Sequence, residues 1–179
     1  MLLKVLLAGS GGQGVLTVGN VLGNASMLDD YHVTYLPSYG AAMRGGTANC
    51  TLCISDEEIA SPVASVPDVL MAMNQPSMLG FISRLEPGGQ LLYNADLVDI
   101  VPERGDIEMF AVPANRIARE QGNERSANMV MLGALIKMTT IIKVETITRS
   151  IEMMMGSKKK ILESSVNAVK AGYEGFPFK

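Results

Sequence analysis

The chain is short of cysteine, histidine and charge, and each shortage removes a class of function. Its two cysteines are too few for the disulfide framework of a secreted scaffold, which points to a reducing compartment. Nor can they ligate an iron–sulfur cluster alone, which takes four thiolates. Cys50 and Cys53 spell a C-x-x-C by letter, but strand positions three apart face opposite ways, so they read as buried free thiols. The single histidine, His32, falls at a strand start with no Ser or Cys partner and forms no catalytic constellation. No run approaches the roughly 18 apolar residues of a membrane span. The apolar start, Met1 to Leu7, carries Lys4 and runs into glycines instead of a cleavage site. The net charge of -3 offers no general attraction for nucleic acid or an anionic membrane. The expectation is a cytoplasmic protein with neither as partner.

What is abundant is apolar surface. Hydrophobic residues make up 47% of the 179 positions against 18% charged, and the mean hydropathy is +0.21. That length fills one core, and the surplus points to a partner chain or to self-association of the isolated subunit.

Leu2 to Ala8 is a short apolar run, as expected of a buried strand. Gly9 to Gly14 breaks it, and Val15 to Leu28 then shows helical spacing. His32 to Leu36 reads as a second strand, giving a βαβ unit and hence a parallel sheet. Pro37 to Gly46 reads as a loop, and Thr47 to Ser55 alternates like a strand. Further strands are expected at Val69 to Met73, Gln90 to Tyr93 and Ile107 to Val112, with a helix from Ser77 to Leu85. The C-terminal third reads as helices at Ala114 to Gln121, Ser126 to Thr140, Glu145 to Met155 and Lys158 to Ala171. Of these, Ser126 to Thr140 is apolar almost all round and must be covered on every side. The expectation is one Rossmann-like, three-layer α/β domain over residues 1–179. Its sheet is mostly parallel, with helices on both faces and a helical C-terminal third.

Two loops carry the candidate site. Gly9-Ser10-Gly11-Gly12-Gln13-Gly14 contains G-x-G-x-x-G after a strand and opening a helix, where the glycines either simply close a tight turn or let backbone N–H groups meet an anion or a partner backbone. The acid that a nicotinamide or flavin site places at the end of its second strand is missing: that strand ends Tyr35-Leu36-Pro37-Ser38. The second loop, Ser38-Tyr39-Gly40-Ala41-Ala42-Met43-Arg44-Gly45-Gly46-Thr47, is expected at the same sheet edge. There Arg44 could clamp a phosphate or carboxylate, or be a plain surface or interface arginine of the loop. The candidate ligand or partner edge is therefore Gly9, Gly11, Gly12, Gln13, Gly14, Ser38, Tyr39, Arg44, Gly45, Gly46 and Thr47. Asp56, Glu57 and Glu58 read as solvated loop charges. Lys158-Lys159-Lys160 reads as a solvated turn, or as a patch facing something acidic. No catalytic residue and no metal ligand is assigned.

Several stretches together resemble a family. These are Gly9-x-Gly11-Gly12-Gln13-Gly14-Val15, Leu36-Pro37-Ser38-Tyr39-Gly40 and Met43-Arg44-Gly45-Gly46-Thr47-Ala48-Asn49-Cys50. Ser61-Pro62, Pro67-Asp68, Ala72-Met73-Asn74-Gln75-Pro76-Ser77 and Asn128 to Leu135 follow in order. The combination resembles the gamma subunit of 2-oxoacid:ferredoxin oxidoreductases, with a lean to the 2-oxoglutarate branch. The family commonly has Pro-Glu where this chain has Ala41-Ala42, so no role of that glutamate carries over. The resemblance implies a complex that oxidatively decarboxylates a 2-oxoacid with coenzyme A, giving acyl-CoA, carbon dioxide and reduced ferredoxin. It puts thiamine diphosphate, Mg and [4Fe-4S] clusters in alpha, beta and delta partner subunits and leaves this chain inactive alone. The alternatives are an independent NAD- or FAD-dependent oxidoreductase and a stand-alone regulatory module.

Overall fold

The apolar run at the start forms β1 (Leu2–Ser10), and its side chains alternate between two cores. Val5 and Leu7 face one side of the sheet, Leu6 and Ala8 the other, and all four are buried. A strand at the centre of a sheet covered on both faces needs this two-sided apolarity. The computed structural model describes residues 1–39 and 46–178 of the chain, with the side chain of Tyr39 also left out.

Along the chain follow α1 (Val15–Leu28), β2 (His32–Tyr39), β3 (Thr47–Ser55), β4 (Val69–Ala72), α2 (Gln75–Phe81), β5 (Gln90–Asn94) and β6 (Glu108–Val112). Then come α3 (Ala114–Glu120), α4 (Ala127–Thr139), α5 (Val144–Met155) and α6 (Lys159–Gly175). The sheet order is β2-β3-β1-β4-β5-β6. β1, β4, β5 and β6 pair in parallel, while β3 runs antiparallel to both β1 and β2. Five of the six strands therefore point one way, and the mixed α/β architecture is the one expected, apart from a single inserted strand.

That insertion changes one local expectation. β2 has the direction of β1 but is not its neighbour, because β3 lies between them. β2 is one of the two edge strands, which is why Pro37 sits inside it opposite Cys50: an edge strand tolerates a residue with no N–H to donate. The strand thus extends past Leu36, through Tyr39.

The larger core lies between one sheet face and helices α1, α3, α4, α5 and α6. The opposite face is covered by α2 and the turn after it, through Met78, Ile82 and Leu85. α4 is buried from Ala127 to Ile136, as its all-round apolarity requires. It crosses α6 at backbone contact: a Cβ on Gly133 would overlap the Val169 carbonyl, and one on Gly172 the Val130 carbonyl. Among the described residues no helix is long and apolar enough to cross a membrane.

Candidate functional site

β1 and β4 are neighbours, yet the chain leaves them toward opposite faces, into α1 on one side and α2 on the other. Such a switch point opens a crevice at the carboxyl ends of the strands, where open α/β sheets take ligands. Here it has a volume of about 460 Å³. Gly12 and Gln13 line it from the β1 side, Met73 from the end of β4, Asn115 from α3, and Arg125 and Asn128 from the approach to α4.

The glycine loop is tied down on both sides of Gly12. The Gly11 N–H donates to the Gly46 carbonyl at 2.9 Å, and the Gln13 N–H to the Ser10 carbonyl at 3.0 Å. Gly14, which precedes α1, has φ of 71°, a left-handed conformation that favours glycine. Gly12 has φ of 95° with open space about its Cα, so its backbone alone walls the crevice there. Asn128 Nδ2 donates to the Gly14 carbonyl at 3.1 Å, and a Cβ on Gly14 would stand on that same carboxamide.

Behind the loop lies a network of amides. Gln13 Oε1 accepts from the Ser10 N–H at 2.7 Å and from Asn74 Nδ2 at 2.7 Å. Asn74 Nδ2 also reaches Ser10 Oγ at 2.8 Å, while Asn74 Oδ1 caps α2 by accepting from the Ser77 N–H at 2.9 Å. Asn94, fully buried at the end of β5, donates to Asn115 Oδ1 at 2.7 Å. On the rim, Arg119 pairs with Glu124 at 2.8 Å. That guanidinium, with help from Asn115, holds the Glu124 carboxyl below the usual carboxylate range.

The glycine loop meets the described end of the second stretch, at Gly46 and Thr47. Ser10 pairs with Thr47 across β1 and β3, and Gly11 is bonded to Gly46. Gly9 lies at the end of β1, and Gly11 to Gly14 form the bend into α1. Ser38 and Tyr39 end β2 at the same sheet edge, one strand beyond β3, and Ser38 does not line the crevice. Arg44 and Gly45 lie outside the described residues. With β3 beside β1, the end of β2 is not next to the glycine loop, where a dinucleotide fold would hold its ribose-binding acid.

Asn74, Asn115, Arg125 and Asn128 line or support the crevice without having been singled out for a role. A signal existed for two of them. Asn128 is a polar residue near the start of an otherwise apolar helix, and Asn74 stands before Gln75-Pro76, a helix-start pattern.

The remaining candidates sit elsewhere. Cys50 and Cys53 are both buried and free, and their thiols face opposite sides, Cys50 toward the Val15 carbonyl on α1 and Cys53 toward Pro62. Burial pushes the Cys50 thiol up to about 12. His32 is exposed at the start of β2, and Asp56, Glu57 and Glu58 are exposed after β3. Lys158, Lys159 and Lys160 are exposed at the start of α6. Among the described residues no three of His, Cys, Asp or Glu gather closely enough to hold a metal.

A glycine loop at the switch point of a mixed α/β sheet, backed by locked amides and flanked by an arginine, defines a module of Rossmann type. Residues 4–175 match the family described as pyruvate ferredoxin/flavodoxin oxidoreductase. The chain belongs to that family, as its gamma-type subunit. It is 37% identical to the 2-oxoglutarate synthase subunit KorC of Methanothermobacter marburgensis, over 96% of this chain and 95% of that one. It is also 37% identical to the ketoisovalerate oxidoreductase subunit VorA of Methanothermobacter thermautotrophicus, over 96% of this chain. The chain spans only about a third of VorA, 36% of its length. Among solved structures, the keto/oxoacid ferredoxin oxidoreductase gamma subunit of Geobacter sulfurreducens superposes with a TM-score of 0.82 at 27% identity, over 96% of both chains.

Proposed function

We propose that the chain works inside a complex that oxidatively decarboxylates a 2-oxoacid with coenzyme A, producing acyl-CoA, carbon dioxide and reduced ferredoxin. Thiamine diphosphate, Mg and [4Fe-4S] clusters belong to its alpha, beta and delta partners. This chain contributes the crevice at the switch point, and coenzyme A is the ligand it takes. The observation that carries this is the crevice itself. A wall of free backbone at Gly12, an arginine at its rim and side-chain amides around it suit a long ligand with both phosphates and amide groups. Arg44 joins the same edge on sequence grounds, through the loop that returns to Gly46.

The 2-oxoacid is 2-oxoglutarate on this reading. What supports it is the Met-Arg-Gly-Gly-Thr-Ala-Asn-Cys stretch at 43–50, together with the KorC relative, which this chain matches end to end. Ketoisovalerate is the competing substrate, favoured by the VorA relative. The test is dye reduction by the assembled complex with 2-oxoglutarate, ketoisovalerate and pyruvate in turn, and with the Arg125→Ala and Arg44→Ala chains. The reading expects 2-oxoglutarate to give the highest kcat/KM and both variants to raise the KM for coenzyme A. Faster turnover of ketoisovalerate overturns the substrate assignment. An unchanged coenzyme A KM in both variants overturns the crevice assignment.

A further inference from the structure

The orientations of two side-chain amides at the crevice are dictated by backbone groups that can only donate. The Ser77 N–H points at Asn74, so the Asn74 oxygen must face it and Nδ2 must face away, toward Ser10 Oγ and Gln13. The Ser10 N–H points at Gln13, so the atom it meets at 2.7 Å must be Oε1. Gln13 Oε1 thus receives two donors, which occupies both of its lone pairs. Flipping this carboxamide would set Nε2 against two donors and leave both without an acceptor, so the orientation is locked. Gln13 lines the crevice, and its Nε2 has no hydrogen-bond partner among the described residues.

We propose that Gln13 is a specificity-determining residue of the crevice that offers a fixed N–H donor to an acceptor oxygen of the ligand, and that Asn74 is the positioning residue that keeps it so. The polarity of this spot is then set two residues deep: the α2 cap orients Asn74, and Asn74 with Ser10 orients Gln13. An amide carbonyl or a phosphate oxygen is accepted there, and a group that can only donate, such as an ammonium, is rejected. This deepens the assignment of the crevice to coenzyme A and rests on it.

Two isosteric substitutions test the polarity in the assembled complex, with coenzyme A as the probe. Gln13→Glu retains an acceptor for Ser10 and Asn74 but puts a carboxylate oxygen where the donor stood. Asn74→Asp retains the α2 cap but removes the donor that holds Gln13. Each is expected to raise the KM for coenzyme A by about ten-fold or more, the scale of a lost or repelled hydrogen bond. The KM for the 2-oxoacid should stay as it was, which a general loss of structure would not permit. Pantetheine as thiol substrate separates the two acceptors: a loss that persists with it assigns a carbonyl, and one that disappears assigns a phosphate. If Arg125→Ala raises the coenzyme A KM while Gln13→Glu and Asn74→Asp do not, the inference is overturned and the crevice assignment stands. If Gln13→Glu alone raises it, Asn74 loses its positioning role. If none of the three does, the crevice is not the coenzyme A site and the inference falls with it.

Discussion

The side-chain amide of Asn128 donates to the carbonyl of Gly14 across 3.1 Å, joining the first helix of the chain to the start of the fourth. The contact is close because Gly14 has no side chain and a left-handed backbone. Gly14→Ala should therefore cost about 1–2 kcal/mol from the left-handed conformation, with an added cost for displacing Asn128. Asn128→Ala should cost about 1 kcal/mol through the lost bond. Urea denaturation of each variant checks both values, and Gly14→Ala should be the more destabilised.

The crossing of α4 and α6 gives a second prediction. Gly172 lets the Val130 carbonyl lie against the α6 backbone, so Gly172→Ala forces the helices apart. Overpacking of this kind costs about 1–3 kcal/mol. Gly105→Ala, at a position with nothing nearby, is the control and should shift stability by no more than about 0.5 kcal/mol. Thermal unfolding of the pair measures the difference.

Cys50 predicts a pH effect. Burial raises its folded thiol to about 12, above its ordinary value of 9.0, so the folded chain holds this proton where the unfolded chain releases it. The contribution of Cys50 to stability is thus complete below about pH 9 and is lost progressively as pH rises toward 12. Cys50→Ala should show a shallower loss of stability across that alkaline window. In the folded chain at neutral pH, iodoacetamide should leave Cys50 unmodified, and peptide mapping after unfolding should find it labelled.

Glu124 predicts the opposite sign. Its carboxyl is held below the ordinary value by Arg119 first and Asn115 second, so the pairing is present above that value and is lost as pH falls through the lowered one. Side-chain carboxyl NMR should find Glu124 titrating below a typical glutamate, and Arg119→Ala should move it back up.

Much of this was legible in the residues, for physical reasons. β1 and α1 follow from an apolar run, a glycine bend and a 3.6-residue repeat, all local signals. α4 was legible because ten consecutive buried positions leave no polar face. The insertion of β3 between β1 and β2 was not, because alternation along Thr47 to Ser55 says that a strand exists and not which strands it pairs with. Pro37 hid the last part of β2, since a proline ends a central strand but not an edge strand. In the site, the glycine loop was found from its spacing, while its contact with Gly46 comes from β3 starting beside the end of β1, the pairing that local patterns do not reveal. Asn74 and Asn115 come from positions 61 and more residues away from Gln13, a distance that no local pattern bridges.

The central claim is that this chain works as the gamma subunit of a coenzyme A-dependent 2-oxoacid oxidoreductase. Its most direct test is anaerobic affinity purification of the tagged chain from its native host, with mass spectrometry of what accompanies it and a viologen assay on the eluate. The account predicts a thiamine-binding chain and a ferredoxin-like chain in the eluate, with dye reduction that requires both a 2-oxoacid and coenzyme A. Recovery of the chain alone with a bound nicotinamide or flavin, and no such reduction, would contradict it.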